Sequence, residues 1–400
     1  MRIGILNWSA RLAGGVEHYL ATLLPGLRAA GHEVAFLSEV AAPSDREPIP
    51  LPGGTPAWCV EELGVARAFE GLRAWKPSVL YAHAIREPAL EGRLLDVAPS
   101  VWFAHQYHGT CVSGTKTFSF PAARPCAREF GLACLVHFYP RRCGGLDPAT
   151  MVADYRRQAK RLELLRRYRM IVTHSEHMRT EYLKHGVTQD RVRRIPFLLR
   201  PPSAPRGHVR AAGKLAEILF VGRMERLKGG AVLLRALPSV CAALSRPVRV
   251  TLVGEGRERG DWERVAARVQ EETSGLEICF AGWAAPEEVD RHYSATDLLV
   301  MPSLWPEPFG LSGPEAGRYG VPAAAFAVGG IGEWLKDGVN GCVAPGDPPT
   351  VEGLARAVVR CLADTAFHEK LQAGARAEAA RHTPERHIPA LLEILEQARR

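Results

Sequence analysis

The chain has 400 residues, 46% of them hydrophobic and 24% charged, which fits an ordinary folded protein and excludes disordered and fibrous classes. That length exceeds what one core usually serves, so two domains are expected. The net charge of +8 suits anionic partners, yet no zinc-finger spacing, aromatic RNA-binding signature or strong helix-turn-helix signal points to nucleic acid.

The opening segment reads as a strand over Arg2–Leu6 rather than a secretory signal, and no uninterrupted apolar stretch is long enough to cross a bilayer. A cytoplasmic location is expected. The nine cysteines agree in part, because an odd number with several in apolar segments (Cys241, Cys279, Cys361) suits a reducing compartment. After the first strand, Gly14 and Gly15 open a helix whose apolar positions are Val16, Tyr19, Leu20, Leu23 and Leu24. Amides at such a helix start can approach a phosphate or an acceptor group, with Glu17 in the same turn. This is not the Gly-x-Gly-x-x-Gly of a nicotinamide or flavin site, which argues against a dehydrogenase.

Further strands are predicted at Glu33–Leu37, Val79–His83, Ser100–His105 and Met170–His174. His105 and His108 both lie near the end of one of them and can exchange roles. A bland reading of His105 is a strand histidine satisfied by a backbone carbonyl. Residues 106–148 form an insertion with Cys111, Cys126, Cys134 and Cys143. Four thiolates suit a structural zinc, although the Cys-x2–4-Cys knuckle is missing, and buried reduced thiols or one disulfide fit equally. Arg156, Arg157, Lys160, Arg161, Arg166, Arg167 and Arg169 crowd the next helix. They are either a solvated face or a contact for an anionic membrane.

Residues 201–214, with Pro201, Pro202 and Pro205, have a linker composition. Beyond them come strands at Ile218–Val221, Arg249–Val253, Glu277–Phe280, Leu298–Met301 and Ala323–Phe326. Strands alternating with helical patterns indicate two doubly wound parallel-sheet α/β domains, whose ligands bind beyond the carboxyl ends of the strands. The expected division is 1–200, 215–383, and a C-terminal helix over 384–400 that packs on its own domain or crosses back to the first.

Gly222 ends the first strand of the second half, followed by Arg223 and Lys228, a planar fork and a mobile charge suited to a diphosphate. Glu307 and Glu315 then bracket a turn rich in proline and glycine, with a helix-like run beginning near Glu315. Free amides there attract an anion, and carboxylates accept hydrogen bonds from sugar hydroxyls. Together these features describe a nucleotide-sugar site. On spacing alone, two solvated glutamates would be the commoner reading.

With these pieces placed, the chain resembles the retaining GT-B glycosyltransferases, most closely glycosyltransferase family four. The resemblance rests on Gly14-Gly15-Val16-Glu17, His105, Gly222-Arg223-Met224 with Lys228-Gly229, Glu307 and Glu315, Gly329-Gly330-Ile331-Gly332-Glu333, and Asp337-Gly338-Val339-Asn340-Gly341. It implies two Rossmann-like domains and transfer of a hexose-type unit from a nucleoside-diphosphate sugar to a carbohydrate or lipid-linked acceptor, as in surface polysaccharide or glycolipid synthesis. In such an enzyme Glu315 holds the ribose, Glu307 and His105 contact the sugar, and Arg223 and Lys228 neutralise the diphosphate with amides of Gly310 and Leu311. Retention is implied through same-face attack, with no metal needed for chemistry. Departing from the family, the usual Pro-Asn-Gly before the linker is Ile195-Pro196-Phe197-Leu198 here. Rival readings are a GT-B epimerase or phosphorylase and a non-catalytic sugar- or lipid-binding scaffold.

Overall fold

In the computed structural model, all residues are described except Ala13, Asp45, Arg46, Leu146 and 203–214. Most of the expected linker therefore lies outside the described residues. The chain divides into two compact units: residues 1–114, 128–200 and 382–400 form the first, and residues 115–127 with 201–381 form the second.

The first unit holds β1 (Arg2–Ser9), β2 (Glu33–Val40), β3 (Ala57–Cys59), β4 (Val79–Ala82) and β5 (Ser100–Phe103). The second holds a small antiparallel hairpin, β6 (Thr117–Phe118) with β7 (Arg124–Pro125). Returning to the first unit, β8 (Met170–Thr173) and β9 (Val192–Arg194) complete a parallel sheet ordered β3-β2-β1-β4-β5-β8-β9. The central strands β4, β5 and β8 are buried along their whole length, as expected where helices cover both faces. The short edge strands β3 and β9 carry no long apolar run.

The second unit's sheet is ordered β12-β11-β10-β13-β14-β15 and is again all parallel. Its strands are β10 (Ala216–Val221), β11 (Val248–Val253), β12 (Leu276–Gly282), β13 (Leu298–Met301), β14 (Ala323–Phe326) and β15 (Gly341–Ala344). Strand order reverses direction between β10 and β13, which creates a crevice at the carboxyl ends of those two strands. The helix Gly230–Leu244 after β10 buries Leu233, Leu234, Ala236, Leu237 and Val240. Together with the turn before it, this is the one segment of the described residues long and apolar enough to span a membrane. Its buried apolar face identifies a core helix.

One placement differs from the sequence-based division. Residues 115–127, expected in the first domain, pack with the second unit. The helix expected near Glu315 is present but only six residues long, Ser312–Gly317. Gly313, Pro314 and Gly317 within it are poor helix formers, so the run stops early. The C-terminal helix Pro384–Arg399 joins the first unit, where it buries Leu391, Ile394 and Leu395 and packs against the helix Gly15–Ala29 and strands β4 and β5. His387 on that helix is fully buried, bonded to the Tyr19 hydroxyl at 2.8 Å and to the Pro196 carbonyl at 2.7 Å.

Candidate active site

In the second unit, the loop leaving β13 carries Ser303, Trp305 and Glu307, with a bend at Trp305. Glu307 is 4% exposed, and three donors converge on its Oε1 atom. Lys228 Nζ donates at 2.6 Å, Ser303 Oγ at 2.6 Å and Trp305 Nε1 at 2.8 Å. A buried carboxylate is costly unless paired and hydrogen-bonded, and this one is both. The Lys228 ammonium also lies 5.4 Å from the centre of the Trp305 ring.

Lys228 arrives on a short 3-10 turn, Arg226–Lys228, between β10 and the helix Gly230–Leu244. The turn is pinned to the β13 loop by Leu304 N donating to the Leu227 carbonyl at 2.8 Å. Gly229 sits at φ +74°, and any Cβ there would collide with the Pro302 carbonyl, so only glycine closes this approach. On the opposite flank, Gly329 (φ +56°) lies against the Glu307 backbone, and Gly330 N donates to the Glu307 carbonyl at 2.6 Å. The Asp337–Gly341 motif is a turn that supports this wall. Asn340 Nδ2 donates to the Trp334 carbonyl at 2.7 Å, and Trp334 Nε1 donates to the Phe309 carbonyl at 2.8 Å.

The ends of β10 and β11 lock together: Gly222 N bonds the Val253 carbonyl at 3.0 Å and Met224 N the Glu255 carbonyl at 2.8 Å. Arg223 between them is exposed, and its guanidinium has no hydrogen bond or ion pair among the described residues. Glu315 stands apart from the Oε1 cluster. Its Oε2 accepts from the buried Tyr293 hydroxyl at 3.2 Å, and that neighbouring carboxylate, after burial itself, holds the phenol well above its ordinary range. Gly310 has φ +85° and precedes the short helix whose cap is Leu311.

The first unit's strand ends carry different chemistry. His83 Nδ1 and His105 Nε2 are 2.8 Å apart, and the His105 ring meets Phe103 edge-on at 3.7 Å between centroids. Part of His105 reaches solvent, yet its ring lies among aromatic rings. Burial, then His83 and His174, push its pKa well below the ordinary 6.5. Burial likewise lowers His83 to about 3 and His387 to about 4. These rings are neutral at physiological pH. Gly14 caps the helix Gly15–Ala29 in extended conformation (φ −159°), and Glu17 in its first turn is 6% exposed with Asn7 Nδ2 at 3.3 Å from Oε1.

Two expectations need correction. His108 does not duplicate His105: it is buried against the Trp102 ring at 4.2 Å, with Glu91 Oε2 at 3.3 Å. The residues between them turn the chain, so one histidine ends at the aromatic cluster and the other against Trp102 and Glu91. Nor do Cys111, Cys126, Cys134 and Cys143 assemble a metal centre. No group of three or more His, Cys, Asp or Glu among the described residues is placed to hold a metal. Cys111 Sγ lies 3.5 Å from Ser113 Oγ, while Cys134 and Cys143 donate to the Glu129 and His137 carbonyls at 3.8 and 3.9 Å.

The basic helix is Pro148–Leu165, and several of its charges are engaged within the first unit. Arg157 pairs with Asp154 at 2.8 Å, Lys160 with Glu163 at 2.9 Å, and Arg161 donates to the Arg86 carbonyl at 2.8 Å. Arg167, just past the helix, meets Asp96 at 2.5 Å.

A doubly wound pair of units with a lysine–glutamate cluster at a strand-order reversal sets the frame for comparison with known proteins. The family described as Glycosyltransferase Family 4 matches residues 13–197, and the one described as Glycosyl transferases group 1 matches residues 216–364. The chain belongs to these glycosyltransferases. It is 32% identical over 234 residues to a D-inositol 3-phosphate glycosyltransferase of Geodermatophilus obscurus, covering 56% of this chain and 49% of that protein. The match thus spans about half the length of that relative. A Streptomyces griseus protein of the same name is 28% identical over 409 residues, 92% of this chain and 81% of the other. Among solved structures, Anabaena Alr3699/HepE in complex with UDP and glucose superposes with a TM-score of 0.67 at 19% identity, covering 99% of each chain. That likeness is one of fold, and the fold is GT-B.

Sequence reasoning missed Ser303, Trp305, Tyr293 and His83. For the first two a signal existed: both lie within four residues of Glu307, in the loop that follows a strand end. Tyr293 and His83 come from remote elements, and no short motif joins them to their partners.

Proposed function

We propose that this glycosyltransferase is a retaining enzyme that moves a hexose-type unit from a nucleoside-diphosphate sugar to a carbohydrate or lipid-linked acceptor. The observation that carries the reading is the convergence of Lys228, Ser303 and Trp305 on one oxygen of a buried Glu307. That arrangement fixes the carboxylate while leaving Oε2 for sugar hydroxyls. Lys228 already holds its charge at the strand-order reversal, and the exposed Arg223 is available beside it. Both then stabilise the negative charge that grows on the diphosphate as the glycosidic bond breaks. Glu315 holds the ribose hydroxyls, and amides of Gly310 and Leu311 complete the phosphate contacts, while Gly222, whose own amide is bonded to Val253, gives the phosphates close approach to the backbone.

On the acceptor side, neutral His105 offers a hydrogen bond without competing charge, and Gly14, Gly15 and Glu17 line the first helix turn. Attack from the face the diphosphate leaves, with a phosphate oxygen taking the acceptor proton, retains configuration and requires no metal ion. An acceptor presented at an anionic membrane is favoured by Leu132 and Val136, which are 74% and 72% exposed close to Arg141 and Arg142.

The test is a thermal-shift and calorimetry screen against UDP-, GDP- and ADP-linked sugars, followed by donor hydrolysis without acceptor. One nucleotide should raise the melting temperature by mass action, and Glu307→Ala should abolish hydrolysis. A wild-type protein that binds no nucleotide would refute the reading. Binding with neither hydrolysis nor transfer would leave a scaffold.

A further inference from the structure

The hairpin at 115–127 is the part of the first half's sequence that packs with the second unit. Its base is firm: Lys116 and Thr117 are 3% and 2% exposed, and Cys126 N donates to the Lys116 carbonyl at 2.7 Å. Its tip is open, with Phe120 48% exposed. A single exposed phenylalanine is ordinary on a protein surface and says nothing alone.

The second observation is where the tip is anchored. Ser119 Oγ accepts from Arg226 Nη2 at 2.6 Å. Arg226 begins the turn that ends in Lys228, the turn bonded to the β13 loop through Leu227 and Leu304 and to Glu307 through Lys228. The tip is therefore tied, residue by residue, to the cluster that holds the carboxylate. A pyranose presents hydroxyls around its edge and a patch of C–H bonds on its face. Carboxylates satisfy the edge, and an aromatic ring, with its negative face, suits the C–H patch.

We infer that the hairpin tip is a specificity-determining rim of the donor site, in which Phe120 packs on the sugar ring of the nucleotide sugar and Ser119, through Arg226, positions it. The inference rests on the donor-site reading above and adds a residue outside every motif that supports it. No bond is made or broken by either residue. Phe120 contributes contact, and Ser119 contributes placement.

Calorimetry on the full chain separates the sugar from the nucleotide by comparing a nucleotide sugar with its free nucleoside diphosphate. Phe120→Ala should weaken the nucleotide sugar about tenfold while the free diphosphate changes less than about twofold, and Phe120→Tyr should restore binding. Ser119→Ala should weaken the nucleotide sugar about threefold in the same selective way, and Ser119→Thr should recover it. Equal losses for both ligands, or none for either, would overturn the inference. Wild-type protein that binds neither ligand would instead refute the donor-site reading itself, so the two failures are distinguishable.

Discussion

The two units share a sheet plan but put opposite chemistry at their strand ends. In the second, the Lys228–Glu307 ion pair stands at the reversal between β10 and β13, with the exposed Arg223 on the loop that leaves β10. In the first, Tyr19, His83, His105, His174 and His387 form a buried aromatic network whose histidines are held neutral by burial. The difference teaches that topology supplies a place for ligands while residue choice decides what is gripped there. A charged cluster suits a diphosphate, whereas uncharged rings suit hydroxyls that must stay mobile enough to react.

The sharpest way to break the comparison is to remove charge from the second unit. Glu307→Gln keeps an oxygen for Ser303 and Trp305 but loses the ion pair, and kcat/KM should fall by about 100-fold or more, measured as donor turnover. Arg223→Ala should cost about 10- to 100-fold in kcat/KM, yet shift Tm by less than about 1 °C because the side chain is exposed and forms no ion pair among the described residues. Equal loss of stability would show that Arg223 braces the fold instead.

The first unit should answer to pH. His83 and His387 fall from 6.5 to about 3 and about 4, so the unfolded chain takes up protons that the folded one refuses. Their contribution is complete above about pH 6.5 and is lost as pH falls towards the folded values, each by up to about 1.4 kcal/mol per pH unit. Calorimetric Tm should therefore drop by about 5 °C or more between pH 7 and pH 5, and His83→Gln should flatten that slope. A slope unchanged by the substitution would place the sensitivity elsewhere. The smallest effect is expected from Trp305→Phe, which removes one donor from Glu307 and should lower kcat/KM about threefold to tenfold with no change in its pH profile.

Much of this was legible in the chain. Buried parallel strands such as β4, β8, β13 and β14 announce themselves because both faces are apolar, and Arg223, Lys228, Glu307 and Glu315 lie in turns where glycine and proline mark the strand ends. The edge strand β9 escaped because Val192–Arg194 reads as a charged loop, and β15 because it begins at Gly341. The fate of residues 115–127 could not be read locally, since hydrophobic pattern reports that a segment is covered but not by which partner. The four cysteines misled for the same reason: spacing along a chain does not fix distance in space.

The return of helix Pro384–Arg399 to the first unit has a practical consequence for anyone who wishes to study the halves apart. A fragment ending near residue 200 would lack Leu391, Ile394 and Leu395, and it would strip Tyr19 and the Pro196 carbonyl of His387. Such a fragment should be sticky and poorly soluble by itself. Supplying the last seventeen residues as a peptide, or grafting them onto the fragment through a flexible tether, should rescue it, making the tail a ready handle for split-protein complementation.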